Sequence, residues 1–115
     1  MKIAITGATG FIGRYMLHGM SAAGHDVRVL VRAGRESAVD HPPGKPAEVH
    51  VGDITDAASL EGFLSGVDLL LHLASAHDHL PDEVLQKVNV TGTENLINEA
   101  KAHAPETFRL WVISS

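Results

Sequence analysis

Thr6-Gly7-Ala8-Thr9-Gly10-Phe11-Ile12-Gly13 joins a short β-rich run, Lys2-Ile3-Ala4-Ile5-Thr6, to a stretch of near-helical apolar spacing. Phe11, Ile12, Tyr15, Met16 and Met20 mark that stretch, and Gly24 supplies its expected stop just after Ala23. A strand that breaks at glycine and resumes as a helix is the opening βα unit of a parallel sheet. Each glycine has a physical task. Gly7 permits a sharp turn off the strand, Gly10 lets the backbone approach a diphosphate without a Cβ in the way, and Gly13 lets the helix pack closely on the sheet. Free N–H groups and the positive end of the helix dipole then face the anion. The spacing is G-x-x-G-x-x-G, and the G-K-[ST] of a phosphate-binding P-loop is missing. This turn is expected to take a dinucleotide.

Outward from the turn, strands and helices alternate. Asp26-Val27-Arg28-Val29-Leu30-Val31-Arg32 alternates polar and apolar as a strand does, and a third strand fits Ala47–Val51. Gly34, Pro42, Pro43, Gly44 and Pro46 leave room between them for only a short helix near Glu36–Val39. Thr55 or Asp56 is placed to cap a helix across Ala57–Ser65. Val67 to Ala74 is a nearly continuous apolar run, the signature of a strand buried on both faces. Pro81 and Asp82 open a long helix to about His103, with Val84, Leu85, Val88, Leu96 and Ile97 on its apolar side, and Phe108–Ser114 is a fifth strand. The pattern predicts an α/β fold, a doubly wound, Rossmann-like parallel sheet with helices on both faces. Right-handed crossovers force one reversal of winding, and ligands bind in the crevice at that reversal.

The 115 residues suit one domain over residues 1–115, and 44% hydrophobic with 20% charged residues is an ordinary globular balance. The absence of cysteine excludes disulfides, thiolate metal sites and cysteine nucleophiles. A formal charge of −5 argues against nucleic acid and anionic membranes as partners. No apolar run is long enough to span a bilayer, and Met1–Thr6 meets a glycine turn before any signal-like stretch develops. A soluble cytoplasmic domain is the expectation. At the end of the second strand, where an acidic residue would hydrogen-bond the ribose of NAD, stand Arg32 and then Arg35. Basic residues there suit a 2′-phosphate, so NADP is expected over NAD, with NAD still possible.

Five ordered motifs carry a family resemblance over the whole chain: Thr6–Gly13, Val51-Gly52-Asp53-Ile54-Thr55-Asp56, Asp68 through His72-Leu73-Ala74, Asn89-Val90-Thr91-Gly92-Thr93-Glu94-Asn95-Leu96, and Trp111-Val112-Ile113-Ser114-Ser115. Together they resemble the amino-terminal part of an extended or atypical short-chain dehydrogenase/reductase, of the NAD(P)-dependent epimerase/dehydratase-like group. The resemblance implies strand order 3-2-1-4-5. It also implies that Gly7, Thr9, Gly10, Phe11 and Ile12 line the diphosphate turn, with Gly13 behind it. Asp53 would accept from the adenine amino group, with Ile54 against the ring. Leu73, Ala74 and Ser75 would border ribose and diphosphate, Val88 the nicotinamide side, and Asn89 would tie its helix to the sheet. Ser115 aligns with the catalytic hydroxyl that hydrogen-bonds the reacting oxygen. His72 is expected to pack under the sheet rather than donate protons.

The departure from the family matters as much. Its acid/base tyrosine belongs to Tyr-x-x-x-Lys, whereas here Tyr15 lies on the first helix and is followed four residues later by Gly19. A fragment truncated before the catalytic and substrate regions is therefore expected, inactive alone, whose parent transfers hydride at a carbonyl or hydroxyl carbon of a small-molecule substrate. The alternative is a non-catalytic NADP-binding redox sensor resembling the NmrA-like proteins. His77-Asp78-His79 with Asp82 and Glu83 lacks a fixed ligand spacing, so it is expected to be a polar loop rather than a metal site. Leu110, Trp111, Val112 and Ile113 would form an apolar edge strand, and self-association, or folding only alongside the rest of a longer polypeptide, is the expected consequence.

Overall fold

Five strands pair in parallel, as the βα alternation requires, in the order β3-β2-β1-β4-β5 that the resemblance implies. They are β1 (Lys2–Thr6), β2 (Asp26–Val31), β3 (Glu48–Val51), β4 (Leu69–Leu73) and β5 (Arg109–Ile113). Two helices accompany them, α1 (Phe11–Ala22) and α2 (Asp82–His103), with short 3₁₀ turns at Glu36–Ala38 and Ala57–Leu60. The computed structural model describes residues 1–73 and 81–113. Winding runs outward from β1 through β2 to β3, then returns to β4 on the other side of β1. The switch point lies between β1 and β4.

Alternating side chains feed two cores. Ile3, Ile5, Val27, Val29, Val31, Leu71 and Leu73 point to the α1 face, where Leu17, Ala8 and Val39 meet them. Ala4, Leu30 and Leu70 point to the opposite face, against Leu60, Phe63, Leu64, Val67 and Leu96. Leu70 through Leu73 are all buried, so β4 is covered on both faces as its unbroken apolar run predicted. Among the described residues, no helix is long and apolar enough to cross a membrane.

Three local expectations are corrected. The helix expected over Ala57–Ser65 ends as a 3₁₀ turn at Leu60, and separate turns follow it. Gly62 and Gly66 stand at φ 84° and 72°, conformations that interrupt a right-handed helix. The loop's backbone finds partners from elsewhere: Arg28 Nη1 donates to the carbonyls of Gly62, Phe63 and Ser65, and Glu99 accepts from the N–H groups of Gly62 and Leu64. Asp56 is at the N-cap position of that turn but makes no side-chain cap bond.

The second correction concerns α1. Phe11 and Tyr15 are 83% and 78% exposed, while Gly13 and Leu17 face the sheet and Met16 and Met20 pack beside them. Gly13, which has no side chain, sets the line of closest approach and rotates Phe11 and Tyr15 outward. The third concerns α2, which packs through Gly92, Leu96 and Glu99 and leaves Val84 and Ile97 exposed.

Candidate dinucleotide site at the switch point

The turn from β1 into α1 is closed by Gly10 N–H donating to Gly7 O at 3.2 Å, and α1's first helical bond runs from Arg14 N–H to Gly10 O. Gly7 sits at φ 74°, and a Cβ on it would stand 3.1 Å from Leu73 Cβ at the end of β4. A Cβ on Gly13 would lie 1.9 Å from Gly7 O. Both glycines are thus demanded by the chain itself. Gly10 is different: its backbone is extended, and among the described residues a Cβ there would meet only Gly7 O, at an ordinary 3.5 Å. Nothing within the turn requires glycine at this position, while the space beside it opens to solvent with Thr9, Phe11 and Ile12. Among the described residues no side chain caps the first turn of α1 and none in that turn is acidic, so its positive end is compatible with an anion. The residues present fit a diphosphate.

The neighbouring strand ends supply the other elements. Arg32 directly follows β2, and Arg35 N–H donates to Arg32 O at 3.0 Å, so both exposed arginines share one tight turn. Glu36 stands in that turn, and its carboxylate accepts the Gly34 N–H at 2.7 Å. After β3, Asp53 Oδ1 accepts from both the N–H and the hydroxyl of Thr55, at 2.9 and 2.8 Å, which orders the loop. Ser59 Oγ receives the Asp53 N–H and donates onward to the loop's carbonyls.

This loop is docked on α2. A Cβ on Gly92 would lie 2.5 Å from Ile54 Cδ1, so the missing side chain is the seat for Ile54. Asn95 Nδ2 then donates to Ile54 O at 2.8 Å. Asn95 thereby ties α2 to the loop after β3. Asn89 instead lines an open groove of about 550 Å³ along α2, with Leu85, Val90 and Thr93. Val88 is half-buried and does not line that groove.

At the switch point itself, the Thr6 hydroxyl lies 2.6 Å from His72 Nδ1, and Leu73 N–H donates to the same hydroxyl at 3.2 Å. His72 is 2% exposed, and its burial lowers the ring's pKa below the ordinary histidine value. It packs under the sheet, as expected. Ala74, Ser75, Ser115 and the loop His77-Asp78-His79 lie outside the described residues.

The model of the NAD dependent epimerase/dehydratase family matches residues 3–115. The chain belongs to this family. Its fellow member sterol demethylase protein B of Methylococcus capsulatus is 36% identical over 104 residues, which are 88% of this chain and 31% of that protein. Ceramide reductase of Caulobacter vibrioides is 33% identical over 102 residues, covering 87% of this chain and 31% of the reductase. The crystal structure of uronate dehydrogenase from Agrobacterium tumefaciens superposes with a TM-score of 0.75 at 26% identity, over 99% of this chain and 40% of the dehydrogenase. The chain thus spans less than a third of the curated relatives it matches. The family is one of NAD(P)-dependent oxidoreductases and epimerases, and the observed strand order is the one the resemblance implied.

Proposed function

We propose that the chain holds NADP(H) in preference to NAD(H), as the cofactor-binding part of an oxidoreductase or epimerase acting on a carbonyl or hydroxyl carbon. The observation that supports this reading is Gly10: among the described residues there is room for a side chain there, room that a diphosphate drawn close to the backbone would take up. Gly7, Thr9, Gly10, Phe11 and Ile12 receive the diphosphate on backbone N–H groups, with Gly13 holding the helix behind them. Asp53 and Ile54 take the adenine. Leu73, Ala74 and Ser75 border the ribose at the switch point, Val88 lies on the nicotinamide side, and Ser115 holds the reacting oxygen. The bound nicotinamide gives or accepts the hydride.

The arginine turn sets the cofactor preference. A uronate dehydrogenase of this fold is complexed with NAD, so the sheet alone does not choose. Guanidinium groups pair with a 2′-phosphate that NAD lacks. Calorimetry is expected to show tighter binding of NADPH than of NADH, and Arg32→Glu to reduce that preference by about tenfold or more. Equal affinities in the unaltered chain would remove the NADP assignment.

Self-association belongs to the same reading. β5 is the outer strand of the described sheet, and Trp111 and Val112 on it are 59% and 56% exposed. Only Arg109, at its start, blunts the edge. The chain is expected to pair with a second copy here, or to fold within a longer polypeptide that covers the strand. Sedimentation equilibrium checks this: Val112→Lys should shift the assembly toward monomer, and a stable monomer at high concentration before any substitution would contradict it.

A further inference from the structure

The dinucleotide reading uses neither of the two titratable side chains buried among the described residues, His72 and Glu99. Glu99 is occupied in holding the loop after Leu60, whereas His72 stands at the switch point itself. β1 and β4 are in register with Thr6 opposite His72, and β1 ends there because Gly7 turns away. The Leu73 N–H therefore points past the last residue of β1 and is taken by the Thr6 hydroxyl. The same hydroxyl lies 2.6 Å from His72 Nδ1, and with the ring proton on Nε2 it donates its own proton there. We propose that His72 is a positioning residue for the diphosphate turn: through the Thr6 hydroxyl it fixes the Leu73 amide, and with it the wall against which Gly7 turns. That wall is close. Leu73 Cβ and O lie 3.1 and 3.2 Å from where a Gly7 Cβ would stand, so a small drift of Leu73 displaces the turn and its N–H groups. Burial favours the neutral ring, whose Nε2–H tautomer lets Nδ1 accept.

The inference rests on the dinucleotide reading, and its test separates the two. ADP-ribose carries the diphosphate and adenosine 2′-monophosphate does not, so a defect in the turn weakens only the first. His72→Leu is expected to weaken ADP-ribose binding about tenfold, the scale of one lost hydrogen bond, and to leave adenosine 2′-monophosphate within about twofold. His72→Asn places an amide oxygen near the Nδ1 position and should restore most of the loss. Thr6→Val should reproduce the ligand-selective loss, and combining it with His72→Leu should add little, because both break one chain of bonds. Should His72→Leu not fold, Thr6→Val and His72→Asn carry the comparison alone. Equal losses for both ligands, or variants that bind ADP-ribose as the unaltered chain does, overturn the role of His72 alone. An unaltered chain that binds neither ligand overturns the dinucleotide reading along with it.

Discussion

Gly13→Ala is expected to damage the fold, and Gly10→Ala to damage only the ligand site. At Gly13 the new methyl would stand 1.9 Å from Gly7 O and 2.8 Å from Ala8 Cα, both backbone atoms that no rotamer change can move. Alanine's better helix propensity offers back about 1 kcal/mol, while overpacking at a buried contact costs about 3 kcal/mol or more, so the clash decides the sign. The melting temperature should fall by several degrees or more, and dinucleotide binding with it, because the helix that aims its N–H groups at the diphosphate is pushed off the sheet. At Gly10 the methyl meets one atom at 3.5 Å on an extended backbone, and stability should stay within about 0.5 kcal/mol. The same methyl intrudes on the space where the diphosphate approaches, and NADPH affinity should drop about 10- to 100-fold, the 1–3 kcal/mol of a steric intrusion. Thermal unfolding and calorimetry on the two variants separate the effects. A Gly10→Ala chain that binds NADPH unchanged would remove the diphosphate from this turn.

That contrast also marks what the sequence discloses. The strands were legible because their apolar runs are short and punctuated by glycine or proline, and the βα alternation then required a parallel sheet with one reversal of winding, while the order itself came from the family resemblance. The glycine spacing pointed to a phosphate-binding turn, yet it could not say that Gly7 and Gly13 answer to the chain while Gly10 does not. Only the packing against Leu73 and Ala8 shows it. Arg32 was singled out from its place at the end of the second strand, and Asp53 through the family resemblance. The loop after Leu60 was misread as helix because its partners, Arg28 and Glu99, lie more than thirty residues away on either side. Local propensity carries no trace of them. Gly92 and Asn95 stood within a recognised motif, but their task appears only when Ile54 is seen seated on the helix.

Glu99 is the clearest case of such a distant partner, and Glu99→Ala is expected to cost about 3 kcal/mol, summed over two backbone N–H groups left without an acceptor. Its carboxylate, on a residue 7% exposed, accepts from Leu64 N–H at 3.0 Å, Gly62 N–H at 3.3 Å and His103 Nδ1 at 2.8 Å. The Leu64 bond is buried, so water cannot readily replace it. From β2, Arg28 grips the carbonyls of the same loop, and the segment is held through its acceptors on one side and its donors on the other. Phe63 and Leu64, both fully buried, hang from that segment into the core beneath β1 and β4. Loosening the loop therefore loosens the sheet face that α2 covers. Glu99→Gln keeps the volume and one acceptor oxygen, so it should cost about half as much, about 1–2 kcal/mol. Urea unfolding of the two variants and of Arg28→Ala measures this, and the double variant should fall short of additivity because both residues restrain one loop. A Glu99→Ala chain within about 0.5 kcal/mol of the original would mean that this loop is held by its apolar side chains alone. The effect should reach the site as well. Asn95 and Gly92, one turn and two turns before Glu99, seat Ile54, so a helix that has lost its anchor presents the loop after β3 less firmly. NADPH affinity should then fall in step with stability, in contrast to Gly10→Ala, where affinity falls and stability does not.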